Sequence, residues 1–443
     1  MVQTLKAFLC KLGIILRFWK IKTKTLRNKN TKKIVEKVGK KANFSYFCTQ
    51  FLLKSSLEIY LAFNKKINMK FTVSSSLLQK LLSSINGVIS SNPVVPILEN
   101  YLFNLDKDKL IVSASDLQIS MITQMDVVST DTGSIAVPSK MLLDTLKVLP
   151  EQPITIEMDM ESFTINIKSE NGQYTLAGEN AEDFPKIPVA SKGKHASFHA
   201  KALSDAISNT LFAASNDELR PSMNGVFLKM TETNTTFVST DGNRLVRYRR
   251  VDVASKEEIS MIIPKKALTL LKAALPNDET EVKAEFSKSN IFFNFGNTQM
   301  ICRLIDERFP DYENAIPAEN PNKMIISRSE LLGSLKRIGL YANKTTNLVR
   351  FKITSNGLIA SAEDIDYSSA ASETLSCQYE GEDIEIGFNA KYLAEMLGNM
   401  NCKEISVEMS APNRAGLIFP VEKDENVDTL MLLMPVMLSS YVS

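Results

Sequence analysis

From residue 69 onward, hydrophobic and polar positions switch between two periods. Alternation at a spacing of two predicts strands, as in Met69-Lys70-Phe71-Thr72-Val73. Apolar residues at three and four predict one-faced helices, as in Leu77, Leu78, Leu81, Leu82 and Ile85, and again in Leu331, Leu332, Leu335 and Ile338. A short strand followed by such a helix occurs three times, at 70–73 and 74–90, at 196–200 and 201–216, and at 323–326 and 327–343. Two strands then follow in each stretch, the second ending near an acidic turn at Asp116, Asp241 or Asp364. A further strand runs into a second helix at 135–149, 262–275 and 386–400. Val137-Pro138-Ser139-Lys140 and Ile263-Pro264-Lys265-Lys266 match at a distance of 126, with proline suited to a helix start. Alternating strands close each stretch, and Asp183-Phe184-Pro185 returns 125 residues later as Arg308-Phe309-Pro310.

A period of this length is a domain, not a solenoid repeat. Each unit reads β-α-β-β-β-α-β-β-β. The expected class is α+β, three tandem units each packing antiparallel sheet against two helices. The expected bounds are 69–190, 196–317 and 323–443, preceded by a segment 1–68.

That first segment differs in charge. It carries 16 Lys+Arg against 2 Asp+Glu, whereas 69–443 carries 36 against 48, so the chain's net +2 divides into +14 and −12. Three readings of the leader stand: a basic arm attracted to nucleic acid, a targeting sequence without a clean apolar core or cleavage site, or sequence upstream of a start at Met69. The immediate strand pattern after Met69 favours the last, and the leader is left out of the fold argument.

Charge is also uneven within the body. The six helical segments hold 12 basic and 4 acidic residues, inside a body that is otherwise acidic. One basic layer on an acidic protein suits phosphate contact on that layer, although solvated faces of ordinary helices give the same count.

The residues of catalysis are sparse. His195 and His199 are the only histidines, and they fall on a linker and a strand start. Cys10, Cys48, Cys302, Cys377 and Cys402 form no Cys-x-x-Cys, which leaves a reducing compartment as the default. Nucleotide-binding glycine loops, zinc-protease motifs and nucleophile elbows are absent. No catalytic residue, metal ligand or cofactor is expected. Asp116, Asp241 and Asp364, one per unit, read as turn residues accepting backbone N–H groups. No run of 18 uncharged apolar residues is present, so no spanning helix is expected.

Taken with the order and spacing of several short motifs, residues 69–438 resemble the bacterial sliding clamp, the beta subunit of the replicative DNA polymerase. The motifs are the opening Met69-Lys70-Phe71-Thr72-Val73, Pro96-Ile97-Leu98, Asn224-Gly225, Thr240-Asp241-Gly242-Asn243-Arg244-Leu245, Arg308-Phe309-Pro310-Asp311-Tyr312 and Met434-Pro435. The resemblance implies a head-to-tail homodimer closing into a ring, helices lining a hole around duplex DNA and sheets outside. It implies cytoplasmic, sequence-independent contact with double-stranded DNA through Lys140, Lys201, Arg220, Lys265, Lys266, Lys336 and Arg337. It also implies a hydrophobic pocket for short peptide motifs of the replicative polymerase, the clamp loader and repair proteins. That pocket would include Met223, Thr240, Gly242, Arg244, Leu245, Pro310, Leu432, Met434, Pro435 and Val436. The ring interface would use Tyr174 and Leu176 on one side and Leu340 and Tyr341 on the other. The chain departs from the family pattern at Asn92 and Ser222 in the DNA lining, at Asn243, Asn314 and Ala315 in the pocket, at Asn171 and Gln173 in the interface, and in a tail, 439–443. A non-ring scaffold that binds peptide motifs is the alternative, and a hydrolase using the repeated aspartates is more distant.

Overall fold

The computed structural model describes residues 68–190 and 193–438. The basic leader and the C-terminal tail lie outside the described residues, apart from Asn68, which is the first residue of a strand.

The first repeat runs β1 (Asn68–Ser74), α1 (Ser75–Ile85), β2 (Asn100–Asp106), β3 (Lys109–Ser115), β4 (Ile119–Asp126), β5 (Thr132–Pro138), α2 (Ser139–Val148), β6 (Pro153–Asp159), β7 (Thr164–Lys168), β8 (Gln173–Ala177) and β9 (Glu179–Asn180). The second runs β10 (Lys194–His199), α3 (Ala200–Thr210), β11 (Gly225–Met230), β12 (Thr235–Thr240), β13 (Arg244–Arg250), β14 (Ile259–Pro264), α4 (Lys265–Ala274), β15 (Glu281–Phe286), β16 (Asn290–Phe295) and β17 (Thr298–Arg303). The third runs β18 (Asn322–Ser327), α5 (Arg328–Ile338), β19 (Leu348–Thr354), β20 (Gly357–Asp364), β21 (Ser369–Leu375), β22 (Gln378–Glu380), β23 (Ile384–Asn389), α6 (Ala390–Gly398), β24 (Glu404–Met409), β25 (Gly416–Pro420) and β26 (Val427–Leu433).

The expected order needs correction. Four strands, not three, separate the two helices of the first and second repeats, and five separate those of the third, which adds the short β22. The strand missing from the sequence pattern is the one after the acidic turn: β4, β13 and β21. β4 and β13 pair between repeats and β21 is a sheet edge, so the local pattern carries little of their signal. β4 joins β17 of the second repeat, and β13 joins β26 of the third.

Sequence spacing explains the helices. In α1, Leu78, Leu82 and Ile85 are fully buried while Leu77 is 54% exposed. Burying each such side chain contributes about 1.5–3 kcal/mol. Ser74 caps α1 by accepting from the Leu77 amide, and Asn389 caps α6 by accepting from Lys391 and Tyr392. Pro138 and Pro264 end strands and stand immediately before α2 and α4. The two helices of each repeat pack on one another.

Two four-stranded and two nine-stranded antiparallel sheets result. The nine-stranded sheets each fuse four strands of the second repeat with five of a neighbouring repeat, in the orders β10-β15-β16-β17-β4-β3-β2-β5-β9 and β14-β11-β12-β13-β26-β25-β24-β18-β22. The four-stranded sheets are β1-β6-β7-β8 and β21-β20-β19-β23. One apolar core runs through the first and second repeats, and another fills the third.

Candidate functional site

The junction between the second and third repeats carries the best-defined surface chemistry. β13 and β26 are antiparallel, with Leu245 opposite Leu432 and Val246 opposite Met431. Side chains alternate across a strand. Val246, Met431 and Leu433 therefore enter the core beneath the helices, while Leu245, Leu430 and Leu432 face the other way. On that outer face they join Val238, Ile262, Phe309, Tyr312 and Leu417 in a separate apolar cluster. Phe227 stacks on Phe309 with ring centroids 4.9 Å apart. Thr240 lies opposite Leu245 and donates its hydroxyl to the Arg244 carbonyl, 2.7 Å away.

This cluster unites several of the expected pocket residues. Leu245 and Leu432 are direct neighbours, Phe309, next in sequence to Pro310, shares their cluster, and the Met434 amide donates to the Asn243 carbonyl at 2.8 Å. Met434 is 42% exposed at the end of β26, and Pro435 and Val436 continue as half-buried chain. Gly242 takes φ +91° at the turn tip, a conformation side chains disfavour. Met223 ends a short turn after α3 and is half-buried. A groove of about 1110 Å³ runs past Phe227, Ile262, Ile305, Phe309 and Pro310, but takes in none of Leu245, Leu432 or Met434.

Arg244 is turned to the opposite face. It is buried, with Nε on Asp241 at 3.0 Å, Nη1 on Glu395 at 2.7 Å and Nη2 donating to the Phe212 carbonyl at 2.9 Å. Its guanidinium also lies 4.7 Å from the Tyr392 ring centroid and 5.4 Å from that of Phe212. It ties the second repeat to α6 rather than lining the apolar face. A polar cavity of about 350 Å³ opens here, bounded by Arg220, Arg244, Lys265, Asn216 and Tyr392.

The cations expected to meet DNA divide into two groups. Lys265 donates to the Ala214 carbonyl and to Asn216, both at 2.9 Å, and its burial, with the Arg244 charge next, lowers its pKa. Lys266 forms an ion pair with Asp116 of the first repeat. Arg220 pairs with Asp217 at 2.9 Å. Arg337 forks onto Glu373 of β21 through two 2.8 Å bonds, which hold that carboxyl down to about 2. Lys140, Lys201 and Lys336 are exposed and have no ion-pair partner among the described residues. Those three are the freest to meet phosphate.

The repeated aspartates serve turns. Asp116 accepts from the Gln118 and Ile119 amides, Asp241 from Asn243 and Arg244, and Asp364 from Asp366. His195 and His199 are exposed. Cys302 is buried on β17, and burial, then Asp116, pushes its thiol up to about 12. Among the described residues no helix is long and apolar enough to cross a membrane.

The expected ring-interface residues fall at two open sheet edges. Tyr174 and Leu176 lie on β8, the outermost strand of the first four-stranded sheet. Leu340 and Tyr341 follow α5, whose Arg337 grips β21, the outermost strand of the other.

Comparison with known proteins bears directly on these surfaces. The N-terminal, central and C-terminal domain signatures of the DNA polymerase III beta subunit match residues 69–188, 197–311 and 313–436 in that order. The chain belongs to this family, the sliding clamps. It is 29% identical over 371 residues to the beta sliding clamp of Vibrio cholerae, across 84% of this chain and 100% of the relative. The beta sliding clamp of Synechococcus elongatus is 28% identical over 380 residues, with the same coverage. Among solved structures, the sliding clamp of Pseudomonas aeruginosa bound to griselimycin superposes with a TM-score of 0.80 at 25% identity, across 84% of this chain and 100% of that one. The sliding clamp of Bacillus subtilis gives the same score, identity and coverage. The three repeats are thus the three domains of a clamp fold.

Proposed function

We propose that this sliding clamp closes into a ring from two copies, encircles duplex DNA and tethers the replicative polymerase to it. One observation carries the reading. The chain contains the same inter-repeat junction twice, β4 with β17 and β13 with β26. Its third counterpart is split, with β21 open at one end and β8 open at the other. A second copy, placed head to tail, repeats the internal junction at both ends and leaves neither edge exposed. Two chains then supply six domains and twelve helices.

The two faces of the fused sheets support a division of labour. The helix face carries Lys140, Lys201 and Lys336, whose contacts with phosphate hold register without reading sequence. Arg220, Lys265, Lys266 and Arg337 shape the same face while engaged with protein partners. The outer face carries exposed Met434 and half-buried Pro310 over a buried apolar floor that includes Leu245 and Leu432, and this face receives short peptide motifs of the polymerase, the clamp loader and repair proteins. Methionine suits such varied partners because its side chain adapts to different shapes. The protein works by topology and tethering, in the cytoplasm, without a chemical step or cofactor of its own. The domain bounds 69–190, 196–317 and 323–443 describe its three parts.

Native mass spectrometry of the full chain tests the assembly. A species of twice the chain mass at micromolar concentration is expected. A monomer at that concentration contradicts the ring and favours a peptide-binding scaffold.

A further inference from the structure

The internal junctions are built from the same positions, and those positions are solvent-exposed at the chain's two ends. Four positions recur: the second residue past the first helix of a repeat, the residue facing its turn aspartate across the turn, and the third and sixth residues of the next repeat's second helix. At the first junction, Leu270, sixth in α4, lies so near Gly87, two past α1, that a Cβ there would meet its Cδ2 at 2.7 Å. At the second junction the same places hold Phe212, Arg244, Tyr392 and Glu395. Arg244 lies over both rings and pairs with the carboxylate. At the open ends they hold Leu340 and Ser369 on the third repeat, and Met141 and Asp144 on α2 of the first; the third repeat's turn is two residues longer than the second's, and Tyr367 lies inside it.

Leu340, Met141 and the turn residue Tyr367 are large, apolar and exposed, at 71%, 59% and 78%. Ile365, in the same turn as Tyr367, is 81% exposed. Such side chains are costly on a surface unless something covers them. Asp144 is held by Lys147 of its own helix, 3.2 Å away, and Glu373 is neutralised within its own subunit by Arg337. Two carboxylates near the open edges are therefore already paired inside one chain.

We propose that Met141 of one subunit packs against Tyr367 and Leu340 of the other, an apolar clasp in which Met141 and Leu340 take the places of Tyr392 and Phe212 and the longer turn brings Tyr367 beside the place of Arg244. This rests on the two-copy ring proposed above and adds contacts beyond its β8 and β21 edges. The thioether of methionine is favourable against an aromatic ring. A ring closed this way resists salt, because apolar contacts are not screened as exposed ion pairs are.

Sedimentation equilibrium of the full chain, with Met141→Glu, Tyr367→Glu and the combination Met141→Lys with Tyr367→Glu, tests this. Wild type is expected to be a dimer whose Kd changes less than about threefold between roughly 0.1 and 1 M NaCl. Each glutamate variant is expected to raise that Kd about tenfold or more. The Lys/Glu combination is expected to recover part of the loss at low salt and surrender it at high salt. All variants should keep the wild-type thermal midpoint as monomers, since the altered side chains are mostly exposed. A dimeric wild type with both glutamate variants unaffected overturns the clasp and leaves the ring standing. Weakening by both without recovery in the combination overturns the direct pairing. A monomeric wild type overturns both the clasp and the ring.

Discussion

The Arg244 guanidinium meets Asp241, Glu395, the Phe212 carbonyl and two rings, all at the second junction. Truncating a fully buried ion pair costs about 3–5 kcal/mol, and Glu395 is 48% exposed. Arg244→Ala is therefore expected to lower stability by about 2–3 kcal/mol in urea unfolding. A loss below about 0.5 kcal/mol contradicts the assigned role. Met434 makes the complementary case. It is 42% exposed, so Met434→Ala is expected to weaken a polymerase peptide about fivefold or more in calorimetric titration while leaving the unfolding midpoint in place. Unchanged affinity removes Met434 from the pocket. Leu245→Ala is a poorer probe, because emptying a buried leucine site costs about 2–5 kcal/mol by itself. The sequence grouped Arg244 with Leu245 because they are adjacent in one motif. The turn at Asp241–Asn243 ends β12, and β13 restarts the alternation at Arg244. Adjacent residues of that strand point to opposite faces, a fact the motif alone does not carry.

Helices and outer strands were legible at the level of elements because their apolar stripes pack within one repeat. α1 shows this, with Leu78, Leu82 and Ile85 inside as their spacing requires. The junction strands were not legible. β13 reads Arg-Leu-Val-Arg-Tyr-Arg-Arg, and β21 reads Ser-Ala-Ala-Ser-Glu-Thr-Leu. Neither has a clean alternation: β13 draws part of its stabilisation from pairing with β26, far away in sequence, and β21 is a sheet edge paired on one side alone. The same dependence makes the open edges measurable. Amides of β8 and β21 are expected to gain hydrogen-exchange protection as the protein is concentrated from the nanomolar into the micromolar range, while those of β4 and β13 stay protected throughout. Concentration-independent exchange at β8 and β21 contradicts their pairing between subunits.

At the scale of the whole molecule, charge and topology act together. The acidic body and its basic helical layer were visible in the sequence, and so was the threefold repeat. The sequence did not reveal that four of the seven expected DNA cations are engaged with protein partners, since those contacts cross repeats or loops, as Lys266 does with Asp116. In the proposed ring, direct phosphate contact falls mainly to Lys140, Lys201 and Lys336, too few for tight binding, and a closed ring needs no tight binding to stay on DNA. The most direct measurement is release of the loaded protein from plasmid DNA before and after a single cut. Retention on the circle and loss by sliding off the ends of the linear form are expected. Equal release from both forms contradicts encirclement.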